Sequence, residues 1–303
     1  MANSIQHIIN GLMQGTVYGL VAMGFTIFFG VMNVIKFSHG DVFTFGAFGG
    51  LVAVWFAQAL GLPIWSQFLF GFVAAILVAG TLGALISRVL ILPLRRAPPL
   101  NMLLMTMMVG TAIRECIRLF FPNGSNPQRF PSLLPEGGYE FLGAYMRLDG
   151  MLLICGGVGS IALVYLIINK TRFGLAMRAV AEDSETASMM GINFERIVPL
   201  TFALGSMTAG FAGIMYGLYY SEVSYNMGLL LAVIGFSAAI VGGLGNIWGA
   251  ILGGYLFAAL QTLVVAATPS LSEYKNVIGF AIMIMLITWR PTGLLAERTS
   301  ERV

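Results

Sequence analysis

The chain is divided into apolar runs long enough to cross a bilayer, and that pattern constrains the fold more than any other feature. A hydrocarbon core about 30 Å thick is spanned by roughly 20 apolar residues of helix. By that measure strong runs lie at about 8–30, 42–60, 65–90, 100–121, 150–168, 198–219, 247–267 and 275–290. A shorter run at 228–244 either crosses or dips in and returns. Unsatisfied backbone groups cost several kcal/mol each in lipid, so crossing segments are helices or closed barrels. The alternating segments of about ten residues that mark a barrel are missing. The expected fold is all-α: a polytopic helical membrane protein with about 8–9 transmembrane helices, forming a single domain over 1–303.

Composition agrees. Charged residues make up 10% of the 303 residues and hydrophobic residues 58%, against roughly 25% charge in a soluble globular chain. Sixteen Lys plus Arg and 13 Asp plus Glu could not cover a water-facing surface of this size. The net charge of +3 is too small, and the cations too scattered, for nucleic-acid binding. Cys116 and Cys155 both sit in apolar stretches and imply neither a disulfide framework nor a zinc site. Only Asn3, Gln6 and His7 are polar before the first run, without a basic region, so that run reads as a retained helix rather than a cleaved signal.

Cations set the orientation, because cytoplasmic loops carry an excess of Lys and Arg. With the N-terminus outside and 228–244 crossing, Lys36, Arg88, Arg95, Arg96, Lys170, Arg172, Arg178, Arg196, Arg290, Arg298 and Arg302 fall inside. Only Arg129, Arg147 and Lys275 fall outside, while Arg114 and Arg118 lie within a span. A re-entrant 228–244 would move the C-terminal arginines outside, so the crossing is preferred. Two connections are long: an external loop, 122–149, rich in Pro, Gly and Asn, and an internal charged loop, 169–197.

The internal loop reads either as a solvated loop helix or as a docking element that fits a groove on a soluble partner. Asp183 can cap a short helix over Ser184 to Met190, with Glu185 in its first turn. Gly191 suits the left-handed position that ends it, and Pro199 suits the first turn of the next span. Ala187 and Met190, three apart, are expected on one face. The product is a compact knob with an apolar tip and an acidic edge of Glu182, Asp183 and Glu185.

This segment, RAVAEDSETASMMGINFERIVP, closely resembles the loop signature of the branched-chain amino acid ABC transporter permease family, LivH-type subunit. Arg178, Ala179, Ala181, Glu182, Asp183, Ala187, Ser188, Gly191 and Ile192 match it. The opening span with KFSHGD, the late AAIVGGLGNIWGAILGG and the ending WRPTGLL are similar to further family motifs, in family order. The resemblance is weakest in the external loop and in 51–99.

It implies a membrane-spanning permease subunit of a bacterial ABC importer in the cytoplasmic (inner) membrane. The solute would be a branched-chain amino acid or a related small polar molecule, with urea or short amides as alternatives within the family. Alternating access would be driven by two cytoplasmic ABC ATPase subunits, with a second permease of the same family and an extracytoplasmic substrate-binding protein. Arg178, Glu182, Asp183, Ala187 and Gly191 are the implied ATPase-coupling residues. The chain has no G-x-x-x-x-G-K-[ST] loop, so ATP would be bound by the partners, with no cofactor or metal held here.

Other polar residues interrupt the apolar runs. Asn33, Lys36, Ser38, His39 and Asp41 either line a translocation path at a broken helix or form an inside turn in water with His39 hydrogen-bonded. Gly243, Gly245 and Asn246, with Gly242 and Gly249, form a second break, either a tight turn or part of the conduit. Gly11, Gly15 and Gly19, then Gly213 and Gly217, and Gly249 and Gly253 have the spacing of helix-packing faces, one of which could pair with the sister permease. Arg114, Glu115 and Arg118 read as a group near the outer end of a span, with Glu115 able to pair with Arg118, either snorkelling to the outer interface or gating. The rival reading is a stand-alone ion-coupled secondary transporter using His39 and Asp41. An intramembrane enzyme is disfavoured, since no nucleophile–base pair or His/Asp cluster falls within a span.

Overall fold

A computed structural model describes residues 2–133, 137–141 and 144–295. Its helices are α1 (Ala2–Met32), α2 (His39–Ala59), α3 (Ile64–Ile86), α4 (Pro99–Phe120), α5 (Leu148–Lys170) and α6 (Arg172–Glu182). They continue with α7 (Ser184–Met189), α8 (Phe194–Tyr220), α9 (Met227–Gly242), α10 (Ile247–Ala267) and α11 (Lys275–Trp289). A π-helical turn, Ser87–Ile91, prolongs α3, and a 3-10 turn, Pro269–Tyr274, precedes α11. Short strands are β1 (Gln128–Arg129), β2 (Gly138–Phe141), β3 (Ala144–Arg147) and β4 (Glu222–Val223). Among the described residues eight helical segments are long and apolar enough to cross a membrane, and each falls on a run expected from the sequence.

The spans α1 and α8 are the most buried, while α4, α5 and α11 have the most exposed faces. Glycine sets how closely α1 packs. A methyl group on Gly11 would meet Thr262, one on Gly15 would meet Tyr255, and one on Gly254 would meet the Gly19 backbone. Helices in lipid associate through close contact of this kind rather than through a hydrophobic drive. The Gly11, Gly15 and Gly19 face is therefore covered by α10 of the same chain, not left for a sister subunit.

The path of α9 follows from its neighbours. The end of α8 leads into β4, which pairs antiparallel with β1 of the 122–149 connection, Gln128 opposite Val223. The Phe130 N–H donates to the Ser221 carbonyl at 3.0 Å, extending that tie. At its other end, α9 runs into Gly245 and Asn246, which share a cavity with Arg178 and Glu182 of α6. The chain from β4 through α9 thus runs from the far end of the molecule to beside α6, with the start of α9 packed within the bundle on Gly40, so this stretch crosses. Its 16 residues rise only about 24 Å, and residues 221–226 lead into it.

The 122–149 connection differs from an open loop. Phe130 and Leu133 are almost fully buried, and the Phe130 ring packs on Gly217 of α8. Residues 134–136 and 142–143 lie outside the described residues, as do Arg298 and Arg302 of the charge expectation.

Candidate functional site

Three places collect the candidate residues: the knob at α6–α7, the break between α1 and α2, and the glycine turn between α9 and α10.

The knob is built by local capping. Asp183 has extended backbone, and its Oδ1 accepts from the N–H groups of Glu185 at 2.9 Å and Thr186 at 3.2 Å. Its Oδ2 accepts from the Thr186 hydroxyl at 2.7 Å. These bonds satisfy donors that a helix start otherwise leaves open. At the other end Gly191 has φ +85°. The Ile192 N–H donates to the Ala187 carbonyl and the Gly191 N–H to the Ser188 carbonyl, both at 3.0 Å. That double closure with a left-handed residue is the Schellman arrangement.

The helix stops at Met189, one residue short of the expected Met190. Ala187 and Met190 do not share the exposed tip. Ala187 is 4% exposed and packs inward, whereas Met189 and Met190 are 88% and 80% exposed. Pro199 is not in a first turn either. Asn193 caps α8 through its Oδ1, which accepts from the Arg196 N–H at 3.1 Å. Helix α8 therefore begins at Phe194, and Pro199 lies inside it, unable to donate a helical bond.

Around the knob, Glu182 and Asp183 line an open groove of about 910 Å³ with Asn33, Arg95 and Arg96. A cavity of about 500 Å³ on the other flank brings Arg178 and Glu182 beside Gly245 and Asn246. The Tyr165 and Trp248 rings, 5.2 Å apart, wall it.

At the α1–α2 break the water-exposed turn considered from sequence is overturned. Lys36, Ser38 and His39 are completely buried and Asp41 is 5% exposed. Asn33 takes a left-handed φ of +50° at the groove end of α1, and the chain then climbs inward. The Phe37 N–H donates to Thr106 Oγ1 of α4 at 3.3 Å. Lys36 Nζ donates to Ser206 Oγ of α8 at 3.0 Å and lies 4.6 Å from the Phe28 ring centre and 5.4 Å from that of Phe202. His39 is held edge-on between Phe25 and Phe28. The Val21 backbone approaches its ring without reaching hydrogen-bond geometry. Asp41 pairs with Arg114 of α4, Nε to Oδ1 at 2.9 Å and Nη2 to Oδ2 at 3.4 Å.

That partner is the residue sequence reasoning missed. Arg114 was grouped with Glu115 and Arg118 at an outer boundary, and Glu115 and Arg118 do pair there, at 2.6 Å. A buried carboxylate needs a paired cation, and the signal that could have found it is an arginine within a span, Arg114. The start of α2 therefore lies at the depth of Gly110 and Arg114, well inside the bundle.

The glycine break is a turn. Gly243 and Gly245 have φ +113° and +94°. Asn246 caps α10, its Oδ1 accepting from the Gly249 N–H at 3.1 Å. The WRPTGLL ending closes on it: the Leu294 and Leu295 N–H groups donate to the carbonyls of Val241 and Gly242 at 2.8 and 3.0 Å. Asn246 Nδ2 donates to the Leu295 carbonyl at 2.9 Å. Gly293, at φ +83°, lies so close that a side chain there would meet the Gly243 backbone. The structure thus brings Arg178, Glu182, Asp183, Asn33, Gly245 and Asn246 to one end. It leaves Ser38, His39 and Asp41 in the core.

Residues 7–287 match the family described as the branched-chain amino acid transport system permease component. The chain belongs to this permease family. The permease is 30% identical to the high-affinity branched-chain amino acid transport system permease protein LivH of Salmonella typhimurium, over 99% of this chain and 97% of that protein. It is 31% identical to BraD of Pseudomonas aeruginosa, described in the same terms, over 99% and 98% of the two chains. The LivM permease protein of Escherichia coli is 22% identical over 92% of this permease and 68% of its own length.

Proposed function

We propose that the permease is the membrane subunit of an ABC importer for branched-chain amino acids in the cytoplasmic membrane, and that α6–α7 is where ATPase subunits engage it. The observation that carries the coupling assignment is the knob: a helix closed at both ends, Met189 and Met190 projecting from it, and a carboxylate-edged groove beside it. Glu182 and Asp183 present charge to the partner, Ala187 and Gly191 hold the knob's shape, and Arg178 faces the neighbouring cavity. ATP belongs to two cytoplasmic partners, because this chain has no phosphate loop. A second, related permease completes the pore, a reading supported by the similarity to both LivH and LivM. A binding protein delivers solute at the end carrying β1 and β4.

The ion-coupled alternative loses its support at Asp41, which is already engaged by Arg114. Reconstitution tests the proposal. The permease with its ATPases, sister permease and binding protein should accumulate leucine in proteoliposomes only with ATP. Accumulation by the lone chain under an ion gradient would overturn the reading. Glu182→Arg should abolish ATPase co-purification and uptake with the thermal midpoint unchanged. Unaltered co-purification and uptake would remove α6–α7 from the coupling role.

A further inference from the structure

A second basic feature lies beside the docking groove and shares Arg95 and Arg96 with it. The π-helical turn after α3, the turn that follows it and the start of α8 enclose an open cavity of about 930 Å³. Arg88, Arg95, Arg96 and Arg196 all line it, against a single carboxylate, Glu195. Among the described residues none of these four arginines carries an ion pair. The Arg95 guanidinium lies 5.6 Å from the Phe194 ring centre, which limits its freedom before any ligand arrives. Asn193, the cap of α8, lines the same space, which puts the positive end of that helix dipole at its edge.

The remaining walls are apolar: Leu92, Pro93, Pro199 and Leu200. Exposed apolar side chains continue from the cavity along the two spans, with Leu85 58%, Val89 57% and Leu200 53% exposed. A ligand that fits is an amphiphile with a phosphate head and a hydrocarbon tail. We infer that this cavity binds the headgroup of an anionic phospholipid, with the acyl chains lying along Leu85, Val89 and Leu200. Guanidinium groups hold phosphate through paired, charge-assisted hydrogen bonds, and basic pockets between membrane helices on the cytoplasmic side take such heads. A soluble acidic protein would satisfy the arginines but leave that apolar track uncovered. Arg95 and Arg96 also line the groove holding Glu182 and Asp183, so a bound lipid would sit against the docking surface.

Native mass spectrometry of the full-length permease in detergent tests this. It would be offered equal amounts of phosphatidylglycerol and phosphatidylcholine with identical acyl chains. Phosphatidylglycerol should be retained preferentially. Arg95→Gln combined with Arg96→Gln should weaken its retention about thirtyfold, since each basic residue near an anionic lipid contributes roughly a factor of five. Arg88→Gln with Arg196→Gln should do the same, while Arg129→Gln, at the opposite end, should have no effect. Thermal unfolding in phosphatidylcholine serves as the folding control for each variant and should be unchanged. Equal retention of the two lipids by the unaltered permease would overturn the assignment. So would a preference for phosphatidylglycerol surviving both double substitutions in folded protein. Complete displacement of the lipid by millimolar inorganic phosphate would show a free-anion site and overturn it equally.

Discussion

Asp41 and Arg114 form the ion pair on which the centre of the permease depends. Both sit at the meeting of α2 and α4, Asp41 with 7% and Arg114 with 19% of its side chain exposed. Removing one partner strands the other. Arg114→Gln should therefore lower unfolding stability by about 3–5 kcal/mol, the typical cost of leaving a buried charge unpaired. Asp41→Asn combined with Arg114→Gln should recover most of that loss. Thermal or denaturant unfolding of the three variants measures it, and a double variant as unstable as Arg114→Gln would show that the pair is not the cause. The pairing was not legible in the sequence, because the apolar runs put Asp41 near an inner boundary and Arg114 near an outer one. Only the inward climb of residues 34–38, held by Lys36 on Ser206 and Phe37 on Thr106, brings the two to one depth.

Among the elements, those closed by local bonds were the readable ones. The Asp183 cap and the Gly191 closure join residues fewer than ten apart, so residue types and spacing sufficed to place α7. The inward face of Ala187 depends on how the knob packs against α6 and α8, and no local pattern encodes that. The start of α8 differs from the expectation at Pro199 because Asn193 supplies the cap and the helix opens at Phe194, five residues before Pro199. The meeting of α2 and α9 is set by two glycines far apart in sequence. A side chain at Gly228 would strike the Gly40 carbonyl and Thr44 Oγ1, whose hydroxyl accepts the Gly228 N–H at 3.0 Å. Gly228→Leu should cost at least about 1–3 kcal/mol through overpacking, seen as a lower thermal midpoint. An unchanged midpoint would mean that α2 and α9 can separate without loss.

For the whole molecule, the eight strong spans were legible because the bilayer dictates their length and apolarity. The crossing of 228–244 rested on charge alone, and the structure adds independent geometry through β1–β4 at one end and the Arg178 cavity at the other. Single cysteines in a background lacking Cys116 and Cys155 test the resulting topology. A membrane-impermeant maleimide should label Asn126→Cys in intact cells, and Glu185→Cys and Arg290→Cys only in inside-out vesicles. Labelling of Arg290→Cys from the outside would mean that α9 doubles back.

The clasp of residues 293–295 on the α9–α10 turn is made almost wholly from backbone atoms. It therefore discriminates little at 295, whose side chain is exposed, whereas Leu294 also packs against the core, so sequence drift should be tolerated at 295 and not at 294. Cutting the chain before residue 293 would instead leave the carbonyls of Val241 and Gly242 without their donors. A fusion partner joined after residue 295 preserves all of those bonds, which makes that end the suitable place to attach a reporter or a purification handle.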